Sequence, residues 1–165
     1  MALAPLSVQA KVRSEGDRLL EAASKAKDSQ TRLSLLAKAL ATGTLSKADA
    51  ASAHNNRAAL LADLGRREEA VAEVTKAIGL MPGAGFYYGN RARIRMSLKR
   101  YALAAADFTK VIELSAKPSA YDYYDRCQAS AKAKAKAAAI ADCRRALELN
   151  GNHRRARLLL DRLTE

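Results

Sequence analysis

The stretch that decides the fold is Glu69–Pro82, with the sequence EAVAEVTKAIGLMP. Similar stretches return at Leu103–Leu114, LAAADFTKVIEL, and at Ala138–Leu149, AAIADCRRALEL. The alanine at the second position of each copy recurs after 34 and then after 35 residues. A helical pattern with this interval is typical of chains that stack two-helix units one after another. The sequence therefore predicts an all-α chain built from repeats.

Composition supports that prediction. The chain has 165 residues, of which 49% are hydrophobic but only 5% aromatic, and it has no Trp. Its apolar content is therefore mostly Ala and Leu, which lead the helix propensity scale, and Ala lets helices approach closely. No stretch reaches the roughly 20 apolar residues of a membrane-spanning helix. We expect one domain with a real core.

The chain is strongly basic, with a formal charge of +12 and a pI near 10.0. Such a charge favours acidic proteins, nucleic acid or anionic membranes as partners. The charges are scattered along helices, which favours solvated faces over a binding tail. The N-terminus lacks the basic start and apolar run of an intact signal peptide. A mature form that has lost its signal also fits, so a cytoplasmic location is only slightly favoured over a periplasmic or secreted one.

Apolar spacing, together with Gly and Pro stops, divides the whole chain into helix pairs. A degenerate pair is predicted over residues 7–46, with its first helix from Ser7 to Ala26. Three full units follow at 47–84, 85–118 and 119–152. A last helix over 153–165 would cover the apolar edge that the final unit otherwise exposes.

The units resemble tetratricopeptide repeats, in which small, aromatic and bulky residues recur at fixed places. The matching residues are His54, Ala58, Leu61, Gly65, Ala70, Val74, Ala77 and Pro82 in the first unit; Tyr88, Ala92, Tyr101, Ala104, Phe108 and Ile112 in the second; and Tyr123, Cys127, Ala139, Cys143 and Ala146 in the third. Arg95 and Ser130 depart from the pattern, since the family favours a large aromatic there. The resemblance implies an α-solenoid in the form of a right-handed superhelix.

In this family the first helices of successive repeats line a concave groove that holds a peptide or a helix. By resemblance, that groove is lined here by polar and aromatic side chains from three helices. They are Asn55, Asn56, Asp63, Phe86, Asn90, Arg93, Met96, Tyr121, Tyr124, Asp125, Gln128 and Lys132. Phe86, Tyr121 and Tyr124 are the aromatic anchors we expect, since such residues are common at binding hot spots.

Three aligned triplets add residues to this groove: Asn56-Arg57-Ala58, Asn90-Arg91-Ala92 and Asp125-Arg126-Cys127. Asn56 and Asn90 occupy the same place in two units, where amides can bond a peptide backbone. The alternative is that they are solvated or bond neighbouring helices. The arginines that follow them, together with Arg126, are expected to bond acids or carbonyls on neighbouring helices. A family subclass grips acidic chaperone tails with Lys, Asn and Arg. The matching places here hold Asp17, Glu21, Asn56, Phe86 and Asn90, of which only Asn56 fits, so membership of that subclass is not expected.

Cys127 and Cys143 fall on the two helices of one unit. Buried free thiols are the favoured interpretation. A disulfide is the alternative if the backbones are close enough, and it would indicate an exported protein. The two histidines are distant from these cysteines, and no metal-ligand spacing or cofactor is expected.

The C-terminal third is basic, but it lacks the interleaved aromatics of a single-strand binder. No Gly-rich phosphate loop, HExxH or GxSxG motif occurs, and no enzyme is predicted. The sequence therefore favours a protein-binding adaptor or assembly factor. A basic nucleic-acid-binding scaffold and a self-associating repeat protein are the alternatives.

Overall fold

The computed structural model describes residues 13–165, and over this range the chain forms helices and no strands. The helices are α1 Glu15–Lys25, α2 Ser29–Ala41, α3 Lys47–Asp63, α4 Arg67–Leu80, α5 Gly85–Ser97, α6 Tyr101–Leu114, α7 Ala120–Lys132, α8 Lys136–Leu149 and α9 Arg154–Thr164. The all-α prediction is confirmed. None of the helices in the described range is long and apolar enough to cross a membrane.

The chain divides into two compact units, of which the first ends at Ser46. In that unit Ser14 accepts from the N–H of Asp17, and the Asp17 carboxylate accepts from the N–H of Ser14. This capping box explains why α1 begins at Glu15, so that Arg13 and Ser14, which were predicted to be helical, precede the helix. The predicted helical residues 7–12 lie outside the described range. Gly16 is buried against Thr44, whose hydroxyl accepts from its N–H, and a Cβ there would meet Thr44 at 2.8 Å.

The second unit, Lys47–Glu165, contains three helix pairs and a final helix. We call α3–α4 pair 1, α5–α6 pair 2 and α7–α8 pair 3. Each helix packs on its neighbours in the chain, and α9 packs on both α8 and α7. Small side chains fill the contacts within the pairs, since Ala58, Ala70 and Ala77 are at most 1% exposed. The expectation that alanines lie where helices cross most closely agrees with this burial.

Each pair also contains a buried ion pair that joins its two helices. Arg57, Arg91 and Arg126 on the first helices contact Glu73, Asp107 and Asp142 on the second helices. In all three cases the partners are 16 residues apart. The three carboxylates are only 3–6% exposed. We call this set of six residues the arginine ladder.

The ladder also joins one pair to the next. Arg91 grips Asp107 with two N–H groups, at 2.8 and 3.0 Å, and its third contact is the Thr75 hydroxyl of pair 1 at 3.1 Å. Arg126 repeats the arrangement in pair 3, where its contact with pair 2 is the hydroxyl of Thr109 at 3.2 Å. The planar guanidinium suits this role because it holds several donors in a fixed fork.

In pair 1 the buried carboxylate, Glu73, has a different set of partners. Glu73 contacts His54 and Lys76 at 2.8 Å and Arg57 at 3.0 Å. Burial alone would raise the pKa of Glu73. The hydrogen bonds from Lys76 and His54, with the charge of Arg57, outweigh burial and hold this pKa below its usual range. His54, one of the residues that match the repeat pattern, therefore forms a hydrogen bond with the buried carboxylate.

Arg95 explains one of the departures from the family pattern. Its side chain is 17% exposed and donates to Asp107 at 2.7 Å, so Asp107 holds two arginines. An ion pair thus occupies the place where the family favours an aromatic ring. Burial, together with the positive charges of Arg91 and Arg100, holds the pKa of Arg95 below its usual value despite the contact with Asp107.

We predict that Asp107→Ala lowers the free energy of unfolding by about 3–5 kcal/mol, since it leaves two buried guanidinium groups without their carboxylate. Chemical denaturation followed by circular dichroism measures the change. Glu148→Ala is the matched control, because its pair with Arg145 is exposed on both sides and is expected to leave the denaturation midpoint unchanged. Equal midpoints for the two variants would contradict a structural role of the ladder.

The turns inside the three pairs share a left-handed residue. These residues are Gly65 with φ 78°, Lys99 with φ 59° and Lys134 with φ 63°. Glycine enters this region freely, whereas a residue with a Cβ does so at a cost. Pair 1 therefore uses the favourable residue, and pairs 2 and 3 place a lysine there.

Two alanine substitutions should have opposite signs. Gly65→Ala adds a Cβ in open space, so backbone conformation alone should lower the free energy of unfolding by about 1 kcal/mol. Gly79→Ala also meets nothing, but it lies within α4 and should raise stability by about 0.5–1 kcal/mol. Thermal unfolding of both variants beside the parent measures the difference. A stabilising Gly65→Ala would contradict the left-handed turn.

The end of the second unit is closed by a disulfide and a buried histidine. Cys127 and Cys143 are bonded, with their Cα atoms 5.5 Å apart, and neither is exposed. The favoured interpretation of free thiols is therefore wrong, because the helices of pair 3 approach closely enough for a bond. His153 precedes α9, and its Nδ1 accepts from the N–H of Ala156 at 3.2 Å. The last helix thus begins one residue later than predicted, at Arg154.

Candidate functional site

A cleft of about 320 Å³ opens among α5, α6 and the start of α7. Its walls combine apolar, amide and charged side chains with two glycines. The lining residues are Gly85, Phe86, Gly89, Asn90, Arg93, Val111, Leu114, Ser115 and Asp122. Three of the predicted groove residues, Phe86, Asn90 and Arg93, thus line one cleft.

The apolar part of the cleft consists of side chains that are exposed to solvent. Phe86 is 58% exposed, and its ring lies 3.9 Å from that of Tyr87, which is 3% exposed. Tyr87 therefore anchors the start of α5 in the core and leaves the Phe86 ring outside. Leu114, at the end of α6, is 40% exposed on the same cleft. Two large apolar side chains thus face water beside a recess.

The polar part is formed by bonds between neighbouring pairs. Asn90 donates to the side-chain oxygen of Asn55 at 2.8 Å. Arg93 is 65% exposed and donates to Asp125 at 3.3 Å. Burial raises the pKa of Asp125 above its ordinary value, and the charge of Arg93 offsets this only in part. The polar wall is therefore pre-arranged but retains free hydrogen-bonding capacity on the amides.

The other predicted groove residues have mixed positions. Asn56 and Asp63 are exposed on α3, and Tyr121 is 66% exposed. Tyr124 is 8% exposed because it packs against His153, and its hydroxyl accepts from Gln128, so it is not an anchor open to solvent.

Two more predicted groove residues lie away from the cleft. Met96 is partly buried against the core around Phe108. The ammonium of Lys132 lies 5.4 Å from the ring centre of Tyr101, beside the α5–α6 turn.

Sequence reasoning missed the contribution of the second helices. Val111 and Leu114 come from α6, whereas the predicted groove used only first helices. Asp122 was also missed. Its carboxylate caps the start of α7, where it accepts from the N–H of Ser119 at 2.7 Å. The sequence could have placed Asp122 at this helix start, since Ser119 and Asp122 have the spacing of a capping box. Over residues 13–165, no group of three or more His, Cys, Asp or Glu side chains could hold a metal ion.

Comparison with known proteins identifies the repeats. The family model described as "Tetratricopeptide repeat" matches residues 51–83 and 87–118, which cover pairs 1 and 2. The chain contains tetratricopeptide repeats. The resemblance found in the sequence is thereby confirmed.

One relative is similar to this chain in sequence, and two solved structures are similar to it in fold. Mouse serine/threonine-protein phosphatase 5 is 31% identical over 91 residues, a match that covers 55% of this chain but only 18% of the phosphatase. The Arabidopsis OM64 TPR domain has a TM-score of 0.64 at 26% identity, with 72% of this chain and 97% of that domain covered. The second TPR domain of human RPAP3, solved in complex with an HSP70 peptide, has a TM-score of 0.63 at 20% identity, with coverage of 72% and 96%.

The raised pKa of Asp125 predicts how stability depends on pH. A carboxyl group whose pKa is higher in the folded than in the unfolded state favours the folded state when it is protonated. The contribution of Asp125 to the free energy of unfolding therefore becomes less favourable as the pH rises through the range between its unfolded and folded pKa values. We predict that Asp125→Asn raises the free energy of unfolding at pH 7 and that the gain shrinks as the pH falls through the carboxyl range.

Urea denaturation at a series of pH values measures this effect. Asp161→Asn is the control, since Asp161 is exposed on α9 and is expected to cause no pH-dependent difference. A gain for Asp125→Asn that did not change with pH would contradict burial as its cause.

Proposed function

We propose that the protein is a non-enzymatic adaptor or assembly factor that binds a peptide segment of another protein in the cleft beside α5. The observation that carries the proposal is the cleft itself, where exposed Phe86 and Leu114 lie next to the amide of Asn90. An apolar recess with a few convergent polar groups is the usual form of a binding site. The RPAP3 domain, which has this fold, was solved with a peptide bound.

The side chains indicate what the peptide must offer. Phe86 and Leu114 can enclose one apolar side chain, and burial of that area would supply most of the affinity. Asn90 can both donate to and accept from a peptide backbone, which would tolerate many sequences. Arg93 already pairs with Asp125, so it would add an acidic preference only if the peptide displaces that contact.

Recognition of a terminal carboxylate is not part of the proposal. Within the second unit, the places that would carry the cationic clamp hold Phe86 and Asn90. Neither side chain is charged, so neither can form an ion pair with a carboxylate. The proposed ligand is therefore an internal segment, or a terminus recognised through its side chains.

The test is selection of peptides from a random library displayed on phage, with the whole chain as the immobilised target. Recovered peptides are then synthesised and their dissociation constants measured by fluorescence anisotropy. We predict that Phe86→Ala weakens their binding about tenfold, or about 1.4 kcal/mol, because the apolar anchor is lost. A C-terminal amide in place of the free carboxylate should leave the affinity unchanged.

Leu158→Ala is the matched control, since Leu158 on α9 is 50% exposed and lies outside the cleft. It should bind the selected peptides as the parent does. The proposal fails if Phe86→Ala and the parent bind all recovered peptides equally. It also fails if the amidated peptides no longer bind, because the terminal carboxylate would then be the recognised group.

A further inference from the structure

A second surface lies at the turns inside the three helix pairs and at the start of the helix after each turn. It comprises residues 64–69, 98–103 and 132–136, which we call the turn edge. Contacts show that these turns are neighbours in space. Arg100 donates to Glu68 of pair 1 at 2.8 Å. On its other side, the turn of pair 2 shares a cleft of about 330 Å³ with Ala133 of pair 3. The three turns therefore form one continuous edge.

The turn edge carries a high density of positive charge. Residues 64–69, 98–103 and 132–136 include seven Lys and Arg but only two carboxylates, Glu68 and Glu69. Both carboxylates are already occupied, by Arg100 and Arg66. Among the described residues, five of these cations form no ion pair and are exposed: Arg67, Lys99, Lys132, Lys134 and Lys136. Four of the five lie around the turns of pairs 2 and 3.

Two of these lysines stand at an unfavourable backbone position. Lys99 and Lys134 have left-handed φ angles, whereas pair 1 has Gly65 in the same place. A lysine there strains the backbone where glycine would not, and both lysines are exposed. An outlier of this kind is a reason to look for function in its side chain.

The turn edge also has an apolar recess. The cleft is lined by Lys99, Arg100, Tyr101, Ala102, Leu103 and Ala133. Leu103 is 49% exposed, and Leu64 at the turn of pair 1 is 48% exposed. Apolar surface rimmed by cations is suited to a ligand that carries both negative charge and an apolar side chain.

We propose that the turn edge binds an acidic segment of a partner protein, with one apolar side chain of that segment in the recess beside Leu103. Lys99 and Lys134 would pair with carboxylates on either side of it. This surface is separate from the cleft beside α5, since the two share no lining residue.

The observations favour an acidic protein segment over nucleic acid and over a lipid surface. Single strands bind by stacking bases on open aromatic faces. The nearest ring, that of Tyr101, already has the Lys132 ammonium over it at 5.4 Å. Membrane association relies on apolar side chains that protrude into the bilayer, whereas Leu103 lines a recess. A recess of this kind accepts a side chain.

The test uses a labelled peptide of alternating Asp and Glu around a central Leu-Leu pair, titrated with the whole chain and followed by fluorescence anisotropy. The double variant Lys99→Gly/Lys134→Gly removes both cations and places in each turn the residue that pair 1 already has, so folding should be retained. It is expected to weaken the peptide affinity about tenfold. Leu103→Ala is expected to weaken it as well.

The matched control is Arg154→Ala/Arg155→Ala, which removes the same net charge from exposed positions on α9. It should bind the peptide as the parent does, and so should Phe86→Ala, which disables only the other cleft. Equal weakening by both charge variants would overturn the proposal, because net charge alone would then explain binding. So would undiminished affinity for a peptide with Ala-Ala at its centre.

Two further probes address the other ligand classes. An oligothymidine strand and phosphatidylserine vesicles should each compete poorly with the peptide. If either binds more tightly than the peptide, and loses that affinity in Lys99→Gly/Lys134→Gly, the turn edge is a nucleic-acid or lipid surface and the proposal is wrong.

Discussion

The structure of the second unit depends on the pairing of a buried carboxylate with an arginine in each helix pair. Removing a charge from water is costly, and a buried ion pair is stable only when its remaining donors and acceptors are also satisfied. Asp107 is held by both Arg91 and Arg95, and Arg91 donates a third N–H group to Thr75. The condition is met only in part, since the Nε groups of Arg57 and Arg95 are buried without a hydrogen-bond partner. Arg91 therefore joins three helices at once. Alanine-rich contacts leave helices free to slide or rotate against one another. The ladder fixes their register through directional bonds.

Contacts within pairs and contacts between pairs have different chemistry. Within each pair the buried alanines and one larger side chain, such as Val74 or Phe108, supply the apolar contact. Between pairs, polar bonds recur about one repeat apart, including Asn90 to Asn55 and Arg93 to Asp125. Neighbours in a solenoid interact only along the stack, so each such bond helps set the curvature of the local face. The geometry of the cleft beside α5 is therefore coupled to bonds that also form its polar wall.

Periodicity predicted the helices well, because each pair repeats a pattern about 34 residues long and ends at a Gly or Pro. The start of α1 was predicted less accurately, because the cap at Ser14 delays the first turn past Arg13 and Ser14. The ladder was partly predictable, since the constant offset of 16 residues between arginine and acid is present in the sequence. The groove was harder to predict, because a helical face does not reveal which side chains a neighbouring helix covers. Tyr124 has groove spacing, yet contact with His153 buries it.

The disulfide is best understood from the position of pair 3 near the end of the stack. Cys127 and Cys143 directly follow the ladder residues Arg126 and Asp142, at the place where pair 1 has Ala58 and Val74. The last pair of a solenoid has a full neighbouring pair on one side only, so it is the first to open. A cross-link that closes a loop of 16 residues offsets this by about 3 kcal/mol on the chain-entropy account. Helix α9 covers the other side with its leucines, which pack against the same core cluster. Because such bonds persist only where thiols are not kept reduced, this contribution to the stability of pair 3 depends on an oxidising environment.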